Sequence, residues 1–315
     1  MSFTTSPGEQ AVDGFGPMNP QDLTIYVNGV PFNTIDTTDA LTDVLVERTI
    51  SGASTVTLQM TDPQRKILNS GLFSYGDSLT LDNLQFTLVQ FAKSSDQLQL
   101  VFEASGVAAL RLQTGNTVTT TTSNITSFAQ GLVLAVPGLS FVGDPNPVNP
   151  AIAVGRGTTT DPTDNPEDSW TCLQRLATTA GWRCWENNNT VYFGSDPFWV
   201  SYFGVGGTIQ EWIGGVQNID FDFDIGKPFG NLTVTAMTEL WRYPPGTILN
   251  TAQLGPASSV AFMQDPHVPT YPNTWMVSDM QRDLYNPQAT ITCTVPMQPY
   301  DMINVGGGAS QLQAI

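Results

Sequence analysis

Residues 168–194 read DSWTCLQRLATTAGWRCWENNNTVYFG, and the periodicity of this stretch changes at its middle. Asp168 and Ser169 are both good N-cap residues, and Glu167 adds negative charge where a helix N-terminus favours it. Trp170, Leu173, Leu176, Ala177 and Ala180 then share one face of a 3.6-residue period, while Gln174, Arg175 and Thr178 take the other. Gly181 is placed to stop the helix in a left-handed conformation. From Trp182 the period drops to about two, with Trp182, Cys184 and Glu186 alternating with Arg183 and Trp185. Asn187, Asn188 and Asn189 supply a turn, because Asn tolerates positive φ. Val191, Tyr192 and Phe193 run back, and Gly194 with Pro197 ends the run. The stretch predicts one amphipathic helix laid on a hairpin, between two long β-rich segments.

Composition supports a chain built mostly of strands. The 315 residues are too many for one small domain and suggest two or three units. Only 12% are charged, about half the usual soluble value. Thr, Ser, Asn, Gln, Gly and Pro fill the difference, which suits short strands and turns. A formal charge of −17 argues against a nucleic-acid-binding surface, although like-charge repulsion would help DNA slide past without sticking. The cysteines Cys172, Cys184 and Cys293 are odd in number and lack CxxC spacing, so they are expected to be buried small apolar side chains rather than a disulfide framework or zinc site. No apolar run approaches the roughly 20 residues of a membrane span, and no secretory leader is read at the N-terminus.

The strand pattern begins with residues 23–27 and the Asn28–Gly29 turn signal. Residues 44–50 and 54–60 follow, the latter strictly alternating until Asp62–Pro63 stops it. Residues 64–70 suit a short helical turn, and residues 77–81, 84–91 and 98–104 are three more strands. Five or six short antiparallel strands with tight turns suggest a closed barrel or a sandwich, since closure removes exposed edges. Asn124 is placed to cap a short helix through Phe128, Ala129, Leu132 and Val133. Residues 1–21, the polar run 117–122 and the Pro-rich residues 143–168 carry little core material. Beyond Phe198, residues 202–207 read as a bend. The strongest alternation in the chain follows in residues 216–225, with Phe221, Phe223 and Ile225 on one face and Asp220, Asp222 and Asp224 on the other. Gly226, Pro228 and Gly230 read as the turn into residues 231–237. Residues 247–249, 259–262, 275–279 and 289–295 complete a second strand set.

Several phrases, in order, carry a resemblance. They are Glu47-Arg-Thr-Ile-Ser-Gly-Ala-Ser-Thr-Val-Thr-Leu58, Asp62-Pro63, Ser70-Gly71-Leu72-Phe73, Ser169-Trp170 to Gly181-Trp182, and Tyr192-Phe193-Gly194-Ser195. Arg242-Tyr243-Pro244-Pro245-Gly246-Thr247, Leu254-Gly255-Pro256, Trp275-Met-Val277-Ser and Gln281-Arg282-Asp283-Leu284 follow. Together they resemble the hub proteins of long-tailed phages, in particular the minor tail proteins of actinobacterial siphophages, over most of residues 22–300. The resemblance implies a mainly β fold with a small α+β insert and two β-barrel domains of the phage tail hub type. Its implied organisation is an extended arm at residues 1–21, a first hub barrel at 22–112, an inserted α+β module at 113–205, a second hub barrel at 206–300 and an extended tail at 301–315. It implies a homotrimeric ring that caps the tail tube, adapts six-fold to three-fold symmetry and meets distal tail, tail tube, tip or fibre and tape measure proteins. DNA would pass through without specific binding, and the chain would not insert into membranes.

In such a ring Asp220, Asp222 and Asp224 are candidates for lining the channel. A calcium loop is the weaker reading of these carboxylates. Gly226 comes one place late, no Glu closes the loop, and strand alternation spreads the carboxylates about 7 Å apart. His267, the one histidine, lies in a Pro-rich loop with no nucleophile pattern near it, so a Ser–His–Asp or Cys–His site has no support. No catalytic, metal or cofactor residues are assigned. A cell-wall hydrolase or glycan-binding tip protein is the alternative, since a carboxylate pair is hard to exclude among 28 acidic residues and aromatics are dense around Trp170–Phe203. Those aromatics are expected to be core.

Overall fold

A computed structural model describes residues 25–31, 40–81, 84–114, 121–122, 124–145, 153–154, 167–204, 207–208, 216–224, 227–236, 245–250, 274–283, 289–294 and 296. For residues 121–122, 153–154, 207–208, 216–224 and most of 227–236 the description is of the backbone. The expectations for residues 1–21, 117–120, 259–262, 301–315 and the loop of His267 lie outside the described residues. So does the expectation that the Phe221, Phe223 and Ile225 side chains are core.

The chain divides into two compact units, one within Met18–Ser195 and one following from Asp196. The first contains β1 (Ile25–Val27), β2 (Val30–Pro31), β3 (Leu41–Thr49), β4 (Thr55–Thr61), α1 (Lys66–Asn69), β5 (Ser78–Leu81), β6 (Leu84–Ser94), β7 (Gln97–Ala104) and α2 (Ser105–Leu112). It continues with β8 (Thr121–Thr122), α3 (Ile125–Leu134), β9 (Ser140–Gly143), β10 (Ala153–Val154), α4 (Ser169–Ala180), β11 (Arg183–Asn187) and β12 (Thr190–Gly194).

Within this unit the strands run β3-β4-β7-β6-β5-β1-β2, each paired antiparallel with its neighbour. Period-two alternation puts one side chain in two on the inner face, and the register lines them up in rows. Val46, Val56, Phe102 and Leu88 form one row, and Val44, Leu58, Leu100 and Phe91 the next. All but Phe91 are buried. Each such side chain contributes on the order of 2 kcal/mol by leaving water. Register slips between Leu41 and Asp43 and between Leu88 and Gln90 insert extra residues. Bulges of this kind bend strands and increase twist, which curls the sheet into a half-barrel. Asn28 and Gly29 turn β1 into β2 with φ of 50° and 77°, as the Asn-Gly pair demands.

The α+β insert is built on α4. Asp168 caps it, its carboxylate accepting from the Thr171 N–H at 2.8 Å and from the Thr171 hydroxyl at 2.8 Å. Gly181 ends it at φ 66°, where the Trp182 N–H reaches the Ala177 carbonyl at 2.7 Å. This is the left-handed stop that lets a helix satisfy its last carbonyls. Trp170, Leu173, Leu176, Ala177 and Ala180 are all buried, as the period requires. Replacing Asp168 by alanine should remove about 1 kcal/mol. The calorimetric melting temperature should then fall by about 2–4 °C. An unchanged transition would show that the cap contributes nothing.

The second unit contains α5 (Asp196–Phe203), β13 (Gly207–Thr208), β14 (Val216–Asp224), β15 (Lys227–Ala236), β16 (Ile248–Asn250), β17 (Thr274–Asp283) and β18 (Ala289–Thr294). The order β14-β15-β18-β17 is antiparallel throughout; β16 pairs with β17 and, in parallel, with β13. Trp275, Met276, Val277, Met280, Ile291 and Cys293 are buried here.

The mainly β class with a small α+β insert is as expected, and the structure differs from or adds to the local readings in five places. Residues 105–112 are a helix at the end of the first strand set. Residues 196–203 are also a helix: Pro197 lies near its start, where its fixed φ suits a helical first turn, so it opens a helix instead of only ending the hairpin. The hairpin gains a third strand, β9, parallel to β12. Cys184, Trp185 and Glu186 are all buried, because the sheet is covered on both faces. Pro228 and Gly230 lie inside β15, not in a turn.

Candidate functional site

The register Glu47, Thr55, Glu103, Thr87, Ser78 marks one end of the first strand set. There β7 passes directly into α2, and there the tip of the β11–β12 hairpin arrives. Arg48 stands on β3 with the parity of Val44 and Val46, so its side chain belongs to the inner face, where it is 5% exposed. Its Nη2 donates to Asn187 Oδ1 at 2.6 Å, across 139 positions of sequence. Beside Asn187, Glu186 is also 5% exposed. Its Oε1 accepts from the Asn189 N–H at 2.5 Å. Asn189 Nδ2 in turn donates to Gln85 Oε1 at 3.2 Å. Asn188 and Asn189 have φ of 51° and 60°, the two positive values a tight two-residue hairpin turn needs. Gly106 of α2 lies against this tip. A Cβ there would sit 3.0 Å from both Glu186 Cγ and Leu139 Cδ2, so a hydrogen at this position is what lets α2 and the hairpin close up.

Burial dominates the electrostatics of this joint. It pushes the Glu186 carboxyl up to about 7, against the opposing pull of the Asn189 N–H and the Arg48 charge. It pushes the Arg48 guanidinium down to about 10, against the opposing effect of Glu186. Buried charges of this kind add little net stability but penalise any arrangement that separates them. A carboxyl near neutrality is also the property of many acid–base catalysts. This one is packed against Gly106 and Leu139, so it forms a joint between the insert and the strand set.

A second, shallow hollow of about 180 Å³ lies over β4, β6 and β7, lined by Gln59, Ala92, Lys93, Ser94, Gln97, Leu98 and Gln99. It is smaller than the pockets that hold drug-sized ligands, commonly about 300–1,000 Å³. Its one cation, Lys93, is committed to Asp62, whose carboxylate lies 3.8 Å away and whose carbonyl accepts from Nζ.

The residues singled out from sequence fall elsewhere. Asp220, Asp222 and Asp224 lie on β14 opposite Thr233, Asn231 and Lys227 of β15. Cys172, Cys184 and Cys293 are buried thiols on α4, β11 and β18, outside any disulfide. Burial pushes the thiols of Cys184 and Cys293 up, which makes them poor nucleophiles. Trp170, Trp182, Trp185 and Trp199 are core, while Tyr202 is 52% exposed. Among the described residues no helix is long and apolar enough to cross a membrane, and no group of three potential metal ligands gathers.

No protein-family model matches the sequence, and no curated protein matches it. Solved structures do share the fold. A tail protein from Neisseria meningitidis MC58 superposes with a TM-score of 0.54 at 11% identity, over 86% of this chain and 96% of that one. The tail protein of prophage MuSo2 from Shewanella oneidensis gives 0.52 at 9% identity, over 88% and 97%. An Escherichia coli component of the type VI secretion system, described as structurally similar to T4 bacteriophage tail proteins, gives 0.52 at 11% identity, over 82% and 74%. At these identities the likeness is one of fold.

Proposed function

We propose that this chain is a structural virion protein, a tail-tip or baseplate hub of a long-tailed phage, of the actinobacterial siphophage type. Three copies form a ring that caps the tail tube, matches its six-fold symmetry to a three-fold tip and surrounds the path of the exiting DNA. The observation that carries this reading is the fold likeness that covers 96% and 97% of two tail proteins, one of them from a prophage. The strand-rich composition, the net charge of −17 and the two strand sets flanking an insert agree with it.

In this reading the chain works by assembly. It contacts distal tail and tail tube proteins on one side and tip, fibre or tape measure proteins on the other. Asp220, Asp222 and Asp224 on β14 are the carboxylates proposed to face the channel, where negative charge keeps DNA from adhering.

Native mass spectrometry of the full chain tests the reading. The expected species has three times the chain mass of 34.0 kDa and does not cleave cell walls. A monomer that hydrolyses purified cell wall would overturn it in favour of a tip-borne hydrolase.

A further inference from the structure

We propose that the buried contact between Arg48 and the hairpin tip at Glu186, Asn187 and Asn189 is a proton-responsive latch that sets how firmly the α+β insert is held on the strand set of β1 to β7. The latch is a property of the single chain and does not depend on the assembly reading.

Three features of geometry carry it. First, the tip is held by side-chain groups: Arg48 reaches Asn187, and Asn189 reaches Gln85. Second, the Glu186 carboxyl both orders the turn, by accepting the Asn189 N–H, and lies in the field of Arg48. Third, Gly106 packs so closely against Glu186 that a Cβ there would lie 3.0 Å from Glu186 Cγ, and the carboxylate arm would have to give way to it. At the base of α4 the described hydrogen bonds of Ser169 are between neutral groups. There the Ser169 hydroxyl donates to Gln113 Oε1 at 3.0 Å and the Ser169 N–H to the Gln113 carbonyl at 3.1 Å.

Among the described residues, four positions face Glu186. β3 offers Arg48; α2 offers Gly106; the segment before β9 offers Leu139; β12 offers Val191 in register. Glu103 and Arg111, at the same sheet end, pair with each other at 3.0 Å. Arg48 is therefore the titratable partner, and it keeps its charge up to about pH 10, outside the range in question.

The sign follows from linkage. The docked tip holds the Glu186 proton up to about pH 7, whereas a released tip gives it up near the ordinary 4.5. Docking is therefore firmest below 4.5 and loosens as pH rises through 7.

Hydrogen exchange of the full chain, read at the Asn189 amide and corrected for intrinsic rates, tests this between pH 5 and 8. The opening constant should rise on the order of 50-fold across that range. In Glu186→Gln the rise should vanish. A flat profile in the unmodified chain, or the same slope in the variant, overturns the latch. Should Glu186→Gln fail to fold, carboxyl-carbon NMR of the unmodified chain decides: a Glu186 midpoint near 7 supports the latch, and one near 4.5 overturns it.

Discussion

Replacing Arg48 by alanine is expected to destabilise the first unit by about 3–5 kcal/mol at pH 8.5, because it leaves a buried carboxylate without its counter-charge. At pH 6 the loss should be clearly smaller. Glu186 has a folded-state pKa raised to about 7, so below that value it binds a proton and the orphaned charge disappears. Stability from this group is fully present below the unfolded value of 4.5 and is lost as pH rises through the folded one. Urea denaturation at the two pH values measures the difference. A cost below about 0.5 kcal/mol at both would mean that Arg48 behaves as a surface residue. The double replacement Arg48→Met with Glu186→Leu should recover most of the loss, since exchanging a buried pair for apolar groups is often neutral or stabilising.

Trp185→Ala is expected to cost about 3–5 kcal/mol, as large-to-small changes at fully buried aromatics do. Trp185 is 0% exposed and lies in register with Tyr192, their rings stacked at 5.0 Å and 10°. Its removal opens a void within one residue of Glu186, so the hairpin tip should loosen as well. Leu112→Ala, at a residue 84% exposed, should change stability by about 0.5 kcal/mol or less and serves as the control. Chemical denaturation of both variants measures this; equal, small losses would mean that the Trp185 side of the hairpin sheet is not packed as described.

Much of the fold was legible because local signals agreed with one another. At α4 the cap, the period and the glycine stop all point to the same twelve residues, and the structure places Ser169–Ala180 there. The first strand set was equally readable, since its turns carry Asn-Gly and Asp-Pro and its inner faces alternate apart from the bulges in β3 and β6. Helix α2 was hidden because its N-cap, Ala104, makes no side-chain cap and the apolar run of β7 continues into it. Gly106 within it allows the close approach of Glu186 and Leu139. Strand β9 is four residues long and pairs in parallel with β12, a contact without a turn to announce it. The Arg48 joint was missed because its members lie 139 positions apart. One local signal was available: Arg48 shares the parity of Val44 and Val46, so a cation stood on a core face. Asp220, Asp222 and Asp224 were conspicuous for the opposite reason, as a regular charged row on β14 whose proposed role depends on neighbouring copies.

That dependence makes the intact particle the decisive object. A reconstruction of the phage tail tip should show three copies of this chain meeting around the tube axis at its end, with the β14 carboxylates turned to the channel. A tip without this chain, or copies that sit apart on the outer wall with β14 facing away from the axis, would contradict the account.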